Sequence, residues 1–171
     1  MKHFKTLCLV FFAFVLISCG KDDDSVDNPA DNAQFNATIN GGTFSNYSST
    51  LGFYIAQPGI SENTLSINVT DSNNNVINMF MNSTNGLGNG TIKEIGDVDT
   101  NGFSTTVAIR DQVAQITYTS ISGSITITDS RVNPADSEYR LISGSFDIVA
   151  SINTGTQVTM TGTFSNLQYS N

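Results

Sequence analysis

From residue 34 onward, apolar and polar side chains alternate along the chain. Phe35, Ala37 and Ile39 are interleaved with Asn36, Thr38 and Asn40, and Gly41-Gly42 then leads into Thr43-Phe44-Ser45. Successive side chains of a strand point to opposite faces, so this spacing buries one set and wets the other. Two glycines between such runs form a hairpin turn. Residues 51–56 read as a third strand, ended by Gln57-Pro58-Gly59. Leu65, Ile67 and Val69 alternate with Ser66 and Asn68, and a polar turn at 71–75 separates them from a strand at 76–81.

The segment 82–103 is rich in Gly and Asn, with a short strand expected at 91–95. Strands at 105–110 and 113–119 follow, both dominated by β-branched residues. Ile121-Ser122-Gly123-Ser124-Ile125 then returns as Ile142-Ser143-Gly144-Ser145-Phe146, and in part as Thr161-Gly162-Thr163-Phe164. A glycine placed alike in three strands implies that backbone or a ring packs over it, or that the strand bends there. Residues 129–138, holding Asn133-Pro134, read as the loop between the first two copies, and Leu167 and Tyr169 as the residues that close the sheet. Beyond Cys19 no apolar run keeps helical spacing over three turns. The expected fold is all-β, an antiparallel β-sandwich or flattened barrel of about ten short strands.

The first residues follow a different pattern. Lys2 and Lys5 precede an apolar run at 7–17, the layout of a secretory signal. Eleven residues of helix reach roughly 16 Å, half of a ~30 Å hydrocarbon core, so the run is too short to span a membrane. Leu16-Ile17-Ser18-Cys19 resembles the lipobox of bacterial lipoproteins, which implies removal of residues 1–18 and lipidation of Cys19 by a diacylglyceryl group and an N-acyl chain such as palmitate. An ordinary cleavage site followed by an unmodified thiol is the competing reading. Residues 19–33 are acidic and nearly devoid of apolar side chains, and read as a disordered tether, with a single domain over 34–171. Lys21-Asp22-Asp23-Asp24 resembles the acidic export signal of Bacteroidota surface lipoproteins, which implies the outer membrane and the cell surface. A periplasm-facing protein with a plain spacer is the alternative.

Composition narrows the chemistry. The full chain carries a net charge of −8, and loss of Lys2 and Lys5 makes the mature chain more acidic, which argues against nucleic acid as a partner. His3 and Cys8 leave with the signal, so the mature chain has no His and no thiol other than Cys19. Ser-His-Asp, Cys-His and the usual zinc sets are thereby excluded, and the chain reads as no enzyme. A carboxylate-based glycan hydrolase, built on Asp129, Asp136, Glu138 or Asp147, is a lesser alternative. Charged residues make up 13% against a usual value of about 25%, so Ser, Thr and Asn must cover the outside.

One loop has the composition of a cation site. Asp97-Val98-Asp99-Thr100-Asn101-Gly102 places oxygen ligands Asp97, Asp99 and Asn101 at alternate positions before a Gly, as calcium loops do. The twelfth position is Ala108 where a bidentate Glu is required, so a Gly-terminated surface turn competes with the calcium reading. No other cofactor is expected. Tyr47, Phe53, Tyr54, Tyr118 and Tyr139 are candidates for a glycan-binding platform, against an ordinary packing role.

The opening Phe35-x-Ala37-x-Ile39-Asn40-Gly41, the two Gly-Ser strands at 123–127 and 142–146, and Gly162-Thr163-Phe164 together resemble a Bacteroidota lipoprotein family known only as a domain of unknown function. The likeness covers 34–169 and implies an all-β domain with no catalytic residue. The expected role is a lipid-anchored, surface-displayed, non-catalytic binding domain whose ligand the sequence does not identify, with a glycan or an envelope protein as candidate partners. A structural envelope lipoprotein with no specific ligand is the alternative.

Overall fold

The computed structural model describes residues 28–59 and 63–171. The signal-like run, Cys19 and most of the acidic segment lie outside the described residues. Asn28 caps a 3-10 turn at Pro29–Asn32, accepting from the Ala30 N–H at 3.1 Å. The polar segment therefore joins the domain a few residues before the first strand.

Nine strands follow: β1 (Gln34–Gly41), β2 (Phe44–Pro58), β3 (Leu65–Asp71), β4 (Val76–Met81), β5 (Ile92–Glu94), β6 (Thr106–Asp111), β7 (Ile116–Asn133), β8 (Asp136–Ser151) and β9 (Gln157–Ser170). All pairings are antiparallel. The wall runs β1-β2-β3-β4-β6-β7-β8-β9, and β9 pairs back onto β1, which closes an eight-stranded up-and-down barrel. Closure gives each of these eight strands a partner on both sides, which is how an all-β chain limits unpaired backbone. β5 pairs with residues 124–126 of β7, on the edge that β6 occupies at 116–119, and so extends the wall past the end of β6.

Alternation explains the barrel's two faces. Phe35, Ile39, Ile67, Met79, Ile109 and Met160 point inward and are buried. Asn36, Thr38 and Asn40 of β1 face out. An outer surface of hydroxyls and amides is the reverse of the apolar outer band of a barrel that crosses a bilayer. Among the described residues no helix is long and apolar enough to cross a membrane.

Nine antiparallel strands in a closed barrel agree with the expected all-β fold of about ten, but several strands are longer than the turn signals imply. Residues 51–56 continue β2 past a register shift between Leu51 and Phe53, rather than forming a third strand. Residues 113–119 and 121–127 likewise belong largely to one strand, β7, with a shift between Ser120 and Ser122. The expected loop at 129–138 is mostly ladder. Asn133 pairs with Asp136 across a tight turn, and its Oδ1 accepts from the Ala135 N–H at 3.0 Å. Bulges absorb what looked like breaks, because one extra residue bends a strand without ending it.

The repeated glycines answer to packing. Gly144 pairs with Phe164 and Gly162 with Phe146. A Cβ on Gly144 would sit 2.5 Å from Cζ of Phe164, and one on Gly162 would sit 2.7 Å from Cζ of Phe146. Phe35, Phe146 and Phe164 stack, with centroids 5.5 Å and 6.5 Å apart. At Gly123 the strand bends instead, with φ of +112°.

Candidate functional site

The barrel has two ends, and they differ. At the end far from Asn28 the turns 71–75 and 111–116 are tied to each other, the Gln112 N–H donating to Asn75 Oδ1 at 3.0 Å. Asp71, only 3% exposed, accepts from the Tyr47 hydroxyl at 2.6 Å, the Ser49 hydroxyl at 3.1 Å and the N–H groups of Asn73 and Asn75 at 2.8 and 2.9 Å. Tyr118 reaches the same end and accepts from the Thr43 N–H at 3.0 Å. Asp111 ties down its own turn through the N–H groups of Val113 and Ala114. Burial opposes its ionisation, but the Thr43 hydroxyl, these N–H groups and Arg110 outweigh it and hold its pKa below the ordinary value. Buried acids with this many donors brace the end rather than serve a ligand.

The end next to Asn28 is stitched differently. No ladder joins β4 to β5, and side chains take its place. Lys93 shares the inward face with its register partner Ile125 and is 2% exposed. Its ammonium donates to the Asn82 carbonyl at 2.8 Å and to the Thr84 carbonyl. Burial lowers its pKa, and the nearby Asp99 works in the opposite direction. The Asn82 side chain donates to the carbonyls of Asp97 at 2.7 Å and Phe103 at 3.3 Å, which draws the 97–103 turn against the end of β4.

That turn contains the expected calcium ligands. Asp99 accepts from the N–H groups of Asn101 and Phe103 at 2.9 and 3.0 Å, and from the N–H and hydroxyl of Ser83 at 3.0 and 2.9 Å. The Ser83 N–H is the main reason that its pKa falls to about 2, with the other donors adding against the cost of burial. The turn repeats the one at 71–75. In both, the Asp Oδ1 takes the N–H groups two and four residues on, and the fourth residue, Asn74 or Gly102, has positive φ. The Asp-Asn-Gly spacing is accounted for by this hairpin geometry, in which the ligand oxygens of Asp99 are engaged internally. Among the described residues no group of three or more His, Cys, Asp or Glu side chains is placed to hold a metal ion.

The other sequence candidates are dispersed. Asp129 pairs with Arg131, and Asp136 accepts from the N–H of Glu138 at 3.1 Å within its own turn. Asp129 lies opposite Ser143, four residues from Asp147 along β8, which is about 13 Å at strand rise. Glycosidase carboxylates stand roughly 5–9.5 Å apart. Tyr47 and Tyr118 serve the far end, the Tyr54 hydroxyl accepts from the Gln168 N–H at 3.0 Å, and Phe53 points outward, 59% exposed. These rings form no common platform.

What the barrel does offer is a cavity at its mouth, on the Asn28 side. It holds about 530 Å³, and it is bounded by the β2–β3 connection, the residues after β4, the β7–β8 hairpin and the end of β9. Leu87 and Pro58 supply apolar wall, Tyr169 an aromatic one, and Asn63, Ser130 and Ser170 polar groups. Arg140 is the only charged side chain among the described residues that line it. A recess of about 540 Å³ at the far end, between the start of β7 and the β8–β9 turn, has no charged side chain among the described residues that line it. Sequence reasoning missed Arg140, because one Arg in an alternating strand carries no motif.

No known protein-family model, curated protein or solved structure matches this chain. A mouth cavity of this size falls in the range that small ligands occupy, and mouths of closed barrels are a common place for them.

Proposed function

We propose that this chain is a lipid-anchored envelope lipoprotein of the outer membrane, facing the cell surface, whose barrel binds a ligand at its mouth and performs no chemistry of its own. The observation that carries this reading is the lining of the cavity beside Asn28: the recesses at the two ends are alike in volume, about 530 and 540 Å³, but among the described residues only the first is lined by a charged side chain, Arg140, and an aromatic one, Tyr169. The cavity lies on the side where the chain enters the domain. Eight residues, 20–27, separate the lipobox-like Cys19 from Asn28, and they reach at most about 28 Å. A ligand bound at the mouth would thus be held close to the bilayer. Two or three acyl chains on Cys19 make release negligible, since each buried methylene contributes about 0.8 kcal/mol.

Two measurements test the proposal separately. Mass spectrometry of protein purified from its own membrane should find an acylated N-terminal peptide starting at Cys19, and an unmodified thiol overturns the anchor. Amide chemical shifts of Gly88, Tyr169 and Ser170 should move when the protein is titrated with compounds selected on a glycan array. A panel in which the only shifts fall elsewhere overturns the mouth as the site.

A further inference from the structure

The outer wall of the barrel is uneven in charge. β1, β2, β3, β4 and β6 carry two carboxylates between them, Asp71 and Asp111, and both are buried. The other strand carboxylates among the described residues, Glu94, Asp129, Asp136, Glu138 and Asp147, lie on β5, β7 and β8. Large apolar side chains face out on the half that lacks them. Phe53 and Ile55 are neighbours on the outer face of β2, 59% and 42% exposed. Their register partners on β3 are Thr70 and Asn68, which pair in turn with Val76 and Asn78 of β4. Two residues further along β4, the Phe80 ring meets that of Phe103 edge-on at 6.0 Å. Arg110, the register partner of Val76, is the only cation on these five strands. The amides between the apolar groups answer each other, Asn78 Nδ2 donating to Asn68 Oδ1 at 2.5 Å and Asn68 Nδ2 to the Ser66 hydroxyl at 3.4 Å. Covering this face therefore strands few polar groups.

We propose that this face, centred on Phe53 and Ile55, rests on the surface of the bilayer that holds the lipid anchor. The inference builds on the anchor at Cys19. Residues 20–27 reach at most about 28 Å, so the domain stays beside the surface and only its orientation is open. An anionic lipid surface repels a protein of net charge −8 from every side except the one where carboxylates are absent. Salt screens the acids of the opposite wall within about 8 Å, while exposed apolar side chains gain by entering the headgroup region. Asp97 and Glu62 belong to connections at the mouth side, past the ends of β4 and β2. Pro58, where β2 ends, is five residues from Phe53, about 16 Å at strand rise. A second copy of the chain fits less well, because two convex walls touch along a narrow line, whereas a bilayer deforms around one. Apolar groups on one side only let the barrel lie on the membrane without crossing it. In that pose the mouth opens sideways, along the bilayer, and stays free for a ligand.

The sequence has no Trp, so one substituted Trp reports on one position. Acylated protein carrying Phe53→Trp is reconstituted in vesicles of phosphatidylethanolamine and phosphatidylglycerol, with and without bromine on the upper part of the acyl chains. Its emission should shift to the blue on reconstitution and lose intensity to the bromines, since side chains at this boundary sit about 5–10 Å deep. Ile55→Trp, on the same face, should behave alike, which guards against a folding defect in either variant. Thr161→Trp, beside Asp147 on β9, should show neither change. Equal quenching of F53W and T161W, or of neither, in protein that floats with the vesicles overturns the orientation and leaves the anchor standing. A blue shift without bromine quenching that grows with protein density in the vesicle assigns the face to a second copy and overturns the lipid contact. Protein that does not float with the vesicles brings down the anchor and the orientation together.

Discussion

Lys93 shows how one side chain stands in for a missing stretch of ladder. Its ammonium is inside the wall and answers two backbone carbonyls that no strand reaches. Lys93→Met keeps the length and the apolar stem but leaves those carbonyls unpaired. The loss should be about 2–4 kcal/mol, after the relief of no longer burying a charge, read as a lower midpoint in urea at unchanged slope. Asp99 gives the pH counterpart. Its folded pKa of about 2 lies below the ordinary value of 3.8, so the stability it adds is complete above pH 4 and is lost as the pH falls toward 2. Asp111 acts in the same direction. Asp99→Asn should lower stability at pH 7, since an amide N–H would face the Ser83 N–H, and should flatten the fall between pH 4 and 2 in melts followed by circular dichroism. Calcium at millimolar concentration should leave the wild-type melt unshifted, because four internal donors already use the Asp99 oxygens.

At the scale of elements, the strands are set by what lies across from them. β7 and β8 run as a long hairpin because bulges at Ser120/Ser122 and Ile127/Asp129 take up residues that would otherwise break the register. The glycine-phenylalanine pairs on β8 and β9 let the rings of Phe146 and Phe164 pack against bare backbone, and Phe35 stacks on Phe146. Gly162→Ala would place a methyl 2.2 Å from the Asn36 carbonyl oxygen as well as against Phe146, so β1 or the ring must move. A cost of about 1–3 kcal/mol is expected, with altered near-ultraviolet dichroism from the displaced rings. The Asp-led turns at 71–75 and 99–103 are one device used twice, and their resemblance to a cation loop follows from the shared need for oxygen acceptors and a positive φ.

For the whole molecule the deciding event is closure. β1 finds β9 only after nearly the whole domain has been made, as Gln34 pairs with Ser165. Such distant pairing slows folding, and refolding followed by tyrosine fluorescence should take milliseconds to seconds or longer. Removing residues 157–171 strips β1 and β8 of a shared partner and opens both edges. The truncated chain should lose dispersed amide signals and aggregate, rather than fold into a seven-stranded sheet.

Much of this was legible along the chain, and the limits have physical causes. Period-two alternation determined strands, their inward residues and the polar exterior, because a strand's two faces are fixed by local geometry. The glycine echo pointed correctly to rings and bends. Where individual strands end was less legible, since a bulge and a turn use the same small and polar residues. The mouth was not legible, because Pro58, Leu87, Arg140 and Tyr169 come from four separate parts of the chain. Sequence alone also gave Asp97, Asp99 and Asn101 the look of ligands. Only the fold decided that Asp99 is consumed by Ser83 and its own turn, because a carboxylate's role depends on which donors the rest of the chain brings within 3 Å.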